Sequence, residues 1–220
     1  MTDRPQRIGL LGGSFNPPHH GHIQPALDVL QGLQLGALHL LPSGDHPFKR
    51  DGSLIAAEHR LAMLQCACVA HTGLQVDARE VRRNGINYTI DTLQELAEEA
   101  PEIEWVFLMG SDLLQEFHLW KSWQQLLHFA HLCIMTRAGH PLELAATEGG
   151  RYLQSHMETC RESFIQQRYP GPKKRVIVQT VTPLNISSTA LRRAIATGQT
   201  TAAMMPKAVA DYIEQQELYR

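Results

Sequence analysis

Ile8-Gly9-Leu10-Leu11-Gly12-Gly13-Ser14-Phe15-Asn16-Pro17-Pro18-His19-His20-Gly21-His22 is the stretch that decides the fold. Its apolar opening, closed by a glycine pair, reads as a strand buried on both faces of a parallel sheet. Beyond it Ile23, Ala26, Leu27 and Leu30 repeat at helical spacing. Pro25 is expected in the first turn of that helix, where its missing N–H costs nothing. Between strand and helix, glycines allow close approach to a ligand, and a helix start offers N–H groups and a positive dipole end to an anion. The string matches neither GxGxxG nor GxxxxGK[ST], so a dehydrogenase or phosphate-loop reading is weak.

Strand and helix go on alternating outward from this unit. Leu38–Leu41 reads as a second strand, and Leu61, Met63, Leu64 and Val69 as the apolar stripe of a helix. Leu74–Asp77 is a third strand, Thr89–Ala100 a helix stopped before Pro101, and Trp105–Met109 a fourth strand ending at Gly110. Leu126, Leu127 and Phe129 suggest a short helix, with strands at Leu132–Met135 and Val176–Val178 and two last helices at Ser188–Ala196 and Pro206–Gln216. The pattern predicts an α/β fold, a doubly wound Rossmann-like parallel sheet with helices on both faces and a small C-terminal helical portion at about 184–220. With no internal repeat and no convincing linker, residues 1–220 are expected to form one domain.

The 220 residues can bury a core without disulfide or metal staples. With 43% hydrophobic and 19% charged residues, the chain is neither disordered nor fibrous. A formal charge of −2 gives no overall pull toward nucleic acid or acidic membranes, so phosphate recognition has to be local. Cys66, Cys68, Cys133 and Cys160 lack the paired spacing of a zinc site or a secreted framework and read as reduced core thiols. No secretory signal fits the opening residues, and no apolar run approaches the roughly 20 residues of a membrane span, so the expected location is cytoplasmic.

His19 and His22 stand three apart at a helix start, where both imidazoles can converge on one phosphate. The alternative is that His20 and His22 merely cap the helix or hydrogen-bond in the core. Zinc is disfavoured because no third ligand stands at a recognisable spacing. Near the other end of the chain, in Ile186-Ser187-Ser188-Thr189-Ala190-Leu191-Arg192-Arg193, Ser187 or Ser188 is a good N-cap, and Arg192 lies one turn on. By itself that segment is also an ordinary capped amphipathic helix.

His19-His20-Gly21-His22 resembles the (H/T)xGH signature of the nucleotidyltransferase superfamily, and the longer string is similar to nicotinate-nucleotide adenylyltransferases in particular. Ile186–Arg193 resembles the ISSTxxR motif of the same superfamily, about 165 residues further on and in the expected order. The resemblance implies transfer of the adenylyl group of ATP to nicotinate mononucleotide (NaMN), giving nicotinate adenine dinucleotide, the precursor of NAD, and pyrophosphate. It implies His19, His22 and Arg192 as catalytic. It adds Gly12, Gly13, Ser14, Phe15, Gly110, Asp112, Ile186, Ser187 and Ser188 as ATP contacts.

For the acceptor it implies Tyr88 and Thr89, with Thr89 as an N-cap receiving the nicotinate carboxylate. Met109 and Trp120 also belong to this group, Trp120 as a platform for the pyridine ring, though an aromatic at this spacing also reads as core. Lys49 stands near the basic residue of the family's Pro-rich loop, but its spacing departs from Pro-Pro-His-Lys. Arg137 sits in Arg-Ala-Gly where the family reads Arg-Pro-Gly, and its role stays open. Mg²⁺ is implied as the companion of ATP, with no dedicated protein metal site. The partners are then ATP and NaMN rather than nucleic acid or membrane, and a homo-oligomer is compatible with the sequence. The alternatives are transfer to nicotinamide mononucleotide, phosphopantetheine or another phosphate acceptor, and a non-catalytic nucleotide sensor. A class I tRNA synthetase is disfavoured, since there is no KMSKS-like loop and no room for an anticodon-binding domain.

Overall fold

The computed structural model describes residues 6–44, 54–83, 85–137, 142–169, 174–201 and 203–220. The elements in chain order are β1 (Arg7–Gly13), α1 (His20–Gly32), β2 (Ala37–Pro42), α2 (Ala57–Cys68), β3 (Leu74–Val76), α3 (Arg79–Arg82), α4 (Thr89–Glu99) and β4 (Glu104–Gly110). There follow α5 (Leu126–Phe129), β5 (Ala130–Arg137), α6 (Glu148–Gln154), α7 (Arg161–Gln166), β6 (Val176–Val181), α8 (Ser188–Ala196) and α9 (Lys207–Gln215). The strands form one sheet in the order β3-β2-β1-β4-β5-β6, and the β1/β4, β4/β5 and β5/β6 pairs run parallel. The order reverses at β1, which defines the doubly wound Rossmann-like α/β fold expected from the alternation. Among the described residues no helix is long and apolar enough to cross a membrane.

By internal contacts the chain divides into two compact units. The first comprises Met1–Leu11, Asp28–Leu38 and Tyr88–Val181. Its centre is the parallel register Leu10↔Phe107, Phe107↔Leu132, Leu132↔Val176, four buried side chains in adjacent strands. Every residue of β4 from Glu104 to Met109 is buried, as a central strand covered on both faces requires. Trp105 ties α4 to this strand by donating its indole N–H to Leu96 O at 3.1 Å. Each such apolar side chain contributes roughly 1.5–3 kcal/mol on burial.

Beneath the amino ends of these strands lies a buried ionic network. Arg7 donates to Glu104 Oε2 at 2.6 Å and to the Phe164 and Gln167 carbonyls, with its guanidinium carbon 4.4 Å from the Phe164 ring centroid. Glu104 also accepts the Tyr169 amide at 2.8 Å and lies 3.3 Å from His131 Nε2. Neither Glu104 nor Arg7 is left as an uncompensated buried charge.

The second unit comprises Gly12–Leu27, His39–Asn87 and Thr182–Arg220. Its core includes Phe15, Ile23, Leu40, Met63, Leu64, Leu191, Val209 and Ile213, and α2 meets α9 through a 2.9 Å bond between His59 Nδ1 and the Tyr212 hydroxyl. Both last helices end in Schellman motifs. In α8 the left-handed position is Gly198 (φ 69°), with Gln199 N–H on Ala194 O and Gly198 N–H on Ile195 O. In α9 it is Glu217 (φ 50°), with Leu218 N–H on Ile213 O and Glu217 N–H on Glu214 O.

Five readings change. Of the four cysteines read as core thiols only Cys133 is buried, while Cys66 and Cys68 are half-buried and Cys160 is exposed. Pro25 lies inside α1, beyond its first turn, so the helix forgoes the bond that an N–H there would make to Gly21 O. Val69 is 84% exposed because, as the C-cap of α2, it falls on the side of the helix opposite the buried stripe of Arg60, Met63, Leu64 and Ala67. Pro206 is the N-cap of α9 rather than its first residue. Helices α3, α6 and α7 and the 3₁₀ turns at Ser111–Gln115, Phe117–Leu119, Trp123–Gln125 and Leu144–Ala146 went unread because they are too short to show a period.

Candidate active site

The loop leaving β1 is held from the carbonyl side. Arg60 Nη1 of α2 donates to Ser14 O at 3.0 Å, Arg192 Nη1 of α8 to Asn16 O at 2.9 Å, and the Ser188 hydroxyl to Pro17 O at 3.1 Å. The Asn16–Pro17 peptide is cis, and Phe15 takes φ 46°, a left-handed conformation in which a bulky side chain is rare. Phe15 is nevertheless 1% exposed, so its packing overrides the backbone cost. A Cβ on Gly13 would lie 3.2 Å from the Phe15 ring, which explains the second glycine of the pair.

At the start of α1 the His19 and His22 rings stack with centroids 3.8 Å apart and an interplanar angle of 27°. The His19 backbone N–H donates to His22 Nδ1 at 3.3 Å, so the neutral His22 ring carries its proton on Nε2. Phe15 meets the His22 ring edge-on at 5.1 Å. His19 is buried, its Nδ1 has no hydrogen-bond partner among the described residues, and burial, helped by nearby His20, holds its pKa down at about 4. Gly21 is a required glycine, since a Cβ would lie 2.9 Å from His19 Nδ1 and 3.4 Å from Ile186 O. The two sequence motifs therefore fold onto one loop within the second unit.

In α8, Ser187 is the N-cap and its hydroxyl oxygen accepts Ala190 N–H at 3.2 Å. Ser188 occupies the first helical position and spends its hydroxyl proton on Pro17 O. Arg192 additionally donates to Thr189 Oγ1 at 3.4 Å. Gly12, Gly13, Ser14, Phe15, His19, His22, Ile186, Ser187, Ser188 and Arg192 all belong to this unit.

Tyr88, Thr89, Met109, Gly110, Asp112 and Trp120 belong to the first unit. Thr89 is the first residue of α4 and not its cap; Tyr88 holds the cap position, and among the described residues no side chain caps the helix. The extended backbone of Tyr88 (φ −115°, ψ 141°) moves the boundary one residue upstream. Lys121 reaches this helix start, with Nζ 2.8 and 2.9 Å from the Asp91 carboxylate oxygens and 4.7 Å from the Tyr88 ring centroid. Its neighbour Trp120 is half-buried against Phe107 (6.1 Å, 79°) and Phe117 (5.6 Å, 54°), leaving part of the indole open. Trp123 packs edge-on against Phe117 and Tyr152. Met109 is buried in β4. Asp112 is exposed in a 3₁₀ turn, and its Oδ1 lies where a Cβ on Gly110 would be, at 2.2 Å. Lys49 lies outside the described residues, and Arg137 closes β5.

Arg60, Tyr219 and Lys121 escaped the sequence reading. Arg60 carried a signal, since it falls on the same helical stripe as Met63, Leu64 and Ala67, an apolar position that a charge occupies only when it has partners. Tyr219 and Lys121 carried none, because their partners are 203 and 30 residues away.

A chain with this sheet order, a glycine-histidine loop after β1 and a capped helix on that loop has the architecture of a nucleotide-binding transferase. The chain belongs to the cytidylyltransferase-like family, whose model matches residues 10–194. Within that family it is 38% identical to a protein of Aeromonas salmonicida named "Probable nicotinate-nucleotide adenylyltransferase", over 97% of both chains. It is 35% identical to one of the same name from Pseudomonas syringae, over 100% of this chain and 96% of the other. In fold it is similar to the Plasmodium falciparum nicotinic acid mononucleotide adenylyltransferase complexed with APC (TM-score 0.69, 18% identity, 97% of both chains) and to the same enzyme complexed with NaAD (TM-score 0.67).

Proposed function

We propose that this protein transfers the adenylyl group of ATP to NaMN, forming nicotinate adenine dinucleotide and pyrophosphate. The observation that carries the reading is the convergence of His19, His22, Ser188 and Arg192 on the loop after β1. The names of the relatives support the substrates. An oxygen of the NaMN phosphate attacks the α-phosphorus of ATP. A new P–O bond forms, the bond to the bridging α–β oxygen breaks, and its electron pair leaves with pyrophosphate. A phosphate is an adequate nucleophile at neutral pH, so positioning and charge stabilisation carry the catalysis.

In this reading His22 offers Nε2–H to the α-phosphate oxygens, and neutral His19 buttresses its ring. The amides of Gly12–Phe15 and the α8 start, with Ile186, Ser187, Ser188 and Arg192, hold the ATP phosphates. Amide and imidazole N–H, hydroxyl and guanidinium suit phosphate oxygens, and Mg²⁺ enters as part of the MgATP substrate. Gly110 and Asp112 serve the nucleotide ribose. Tyr88, Thr89, Met109 and Trp120 serve the pyridine nucleotide, its carboxylate meeting the α4 start, and Lys49 its phosphate side. Both groups serve one reaction, so the chain is read as a single nucleotidyltransferase domain over 1–220, acting in the cytoplasm on two small nucleotides.

The test is to incubate the purified protein with MgATP and either NaMN or nicotinamide mononucleotide, following dinucleotide by chromatography and pyrophosphate by a coupled assay. NaMN-dependent dinucleotide is expected. ATP binding without pyrophosphate release would instead identify a nucleotide sensor.

A further inference from the structure

Asn16 is held from two sides, its backbone carbonyl by Arg192 at 2.9 Å and its side-chain Oδ1 by the Tyr219 hydroxyl at 2.8 Å. It is 1% exposed, so both acceptors sit on a buried residue while their donors, Arg192 and Tyr219, are half-buried. Tyr219 arrives there through the Schellman turn that ends α9, with Glu217 at φ 50° and Tyr219 itself at φ 65°. Two non-glycine residues in left-handed conformations within three positions cost backbone energy that glycine would avoid. Tyr219 also lines an open groove of about 460 Å³ with Thr189, Arg192, Arg193, Ala196 and Arg220.

We propose that Tyr219 is a positioning residue for the phosphate-binding loop: its hydroxyl fixes the Asn16 side chain while Arg192 fixes the Asn16 carbonyl, and together they hold the loop in its ATP-receiving form. The inference rests on the reading of that loop as the ATP phosphate site. It concerns the donor nucleotide, because both bonds end on Asn16 of the β1 exit loop, one from α8 and one from the turn after α9, and neither involves the residues assigned to NaMN. Burial pushes the Tyr219 phenol up, so the hydroxyl remains a proton donor throughout the neutral range.

The test compares wild type, Tyr219→Phe, Asn16→Ala and the double variant. Steady-state kinetics would vary MgATP and NaMN separately, and hydrogen exchange would follow peptides covering Ser14–His22. Loss of one hydrogen bond predicts that Tyr219→Phe raises the KM for ATP about fivefold to tenfold and leaves that for NaMN within about twofold. The loop should exchange faster, and Tyr219→Phe should have no further effect once Asn16 is Ala. Unchanged ATP kinetics and exchange in Tyr219→Phe, or additive effects in the double variant, would overturn the proposal. Absence of product from the wild type would overturn the functional reading instead, while the exchange comparison would still decide whether Tyr219 holds the loop.

Discussion

The His22 imidazole stacks on that of His19 and accepts the His19 backbone N–H through Nδ1, so one residue sets both the tilt and the tautomer of the other. The donor left to His22 is Nε2–H, and its direction depends on a ring that is itself buried. Replacing His22 by Ala should therefore lower kcat by about 10²–10³, the usual cost of one preorganised donor, with little change in melting temperature. Near-normal turnover by a folded variant would remove His22 from catalysis.

His19 is expected to stay neutral at working pH. Burial depresses its folded-state pKa to about 4 from the ordinary histidine value of 6.5, so the folded state binds fewer protons than the unfolded one. Its contribution to stability is complete above about pH 6.5 and is lost as pH falls through about 4. An NMR titration should show the His19 ring protonating near pH 4, and a midpoint in the ordinary histidine range would refute the buried-neutral assignment.

Gly21→Ala tests the packing behind that pair. A methyl group there would lie 2.9 Å from His19 Nδ1, and the ring has no open side to move into. Misplacement of this order can cost up to about 10² in rate, so kcat should fall while circular dichroism shows the helix retained. Full activity in Gly21→Ala would mean that the His19 ring position is not critical.

Arg192 should separate the two substrates. Its guanidinium holds Asn16 O and stands on the helix assigned to the ATP phosphates, so Arg192→Ala should weaken ATP use far more than NaMN binding. Arg192→Lys should rescue poorly, because an ammonium lacks the planar fork that reaches two acceptors. Calorimetry with each ligand would decide, and an equal loss for NaMN would contradict the assignment.

Acceptor preference is expected to depend on the α4 start and its neighbour. A carboxylate meets the helix dipole and Lys121 favourably, whereas the corresponding amide forfeits the charge-assisted contact, worth roughly 1.5–3 kcal/mol. Wild type should prefer NaMN over nicotinamide mononucleotide by about tenfold or more in kcat/KM. Thr89→Val should cost little of this preference, since Thr89 does not cap α4, and Lys121→Ala should cost more. The reverse order would restore Thr89 as the main determinant.

Away from the site, Glu104→Gln should destabilise by about 3–5 kcal/mol, because it leaves buried Arg7 without its counter-charge. Burial alone would raise the Glu104 pKa, but bonds from His131 and the Tyr169 amide and the charge of Arg7 hold it at about 2. That stability is present above about pH 4.5 and disappears as pH falls toward 2. Acid unfolding of wild type and variant should therefore converge at low pH.

The sequence by itself determined what local chemistry can determine. Alternating apolar runs and helical stripes specified the order of strands and main helices, because burial of a strand or a helix face is written in its period. Gly13 and Gly21, the paired histidines and the Ser-Ser-Thr cap stood out because each residue type answers a local demand of backbone or phosphate. Tertiary structure decided the contacts whose partners are far apart in the chain. Arg60 under Ser14, Ser188 and Arg192 on the loop, and Tyr219 on Asn16 join residues 46 to 203 positions apart, which no periodicity encodes. It also decided that Thr89 enters α4 as a helical residue rather than a cap, since the backbone turns at Tyr88. It buried His19 deeply enough to keep it neutral, because a pKa depends on everything packed around the ring.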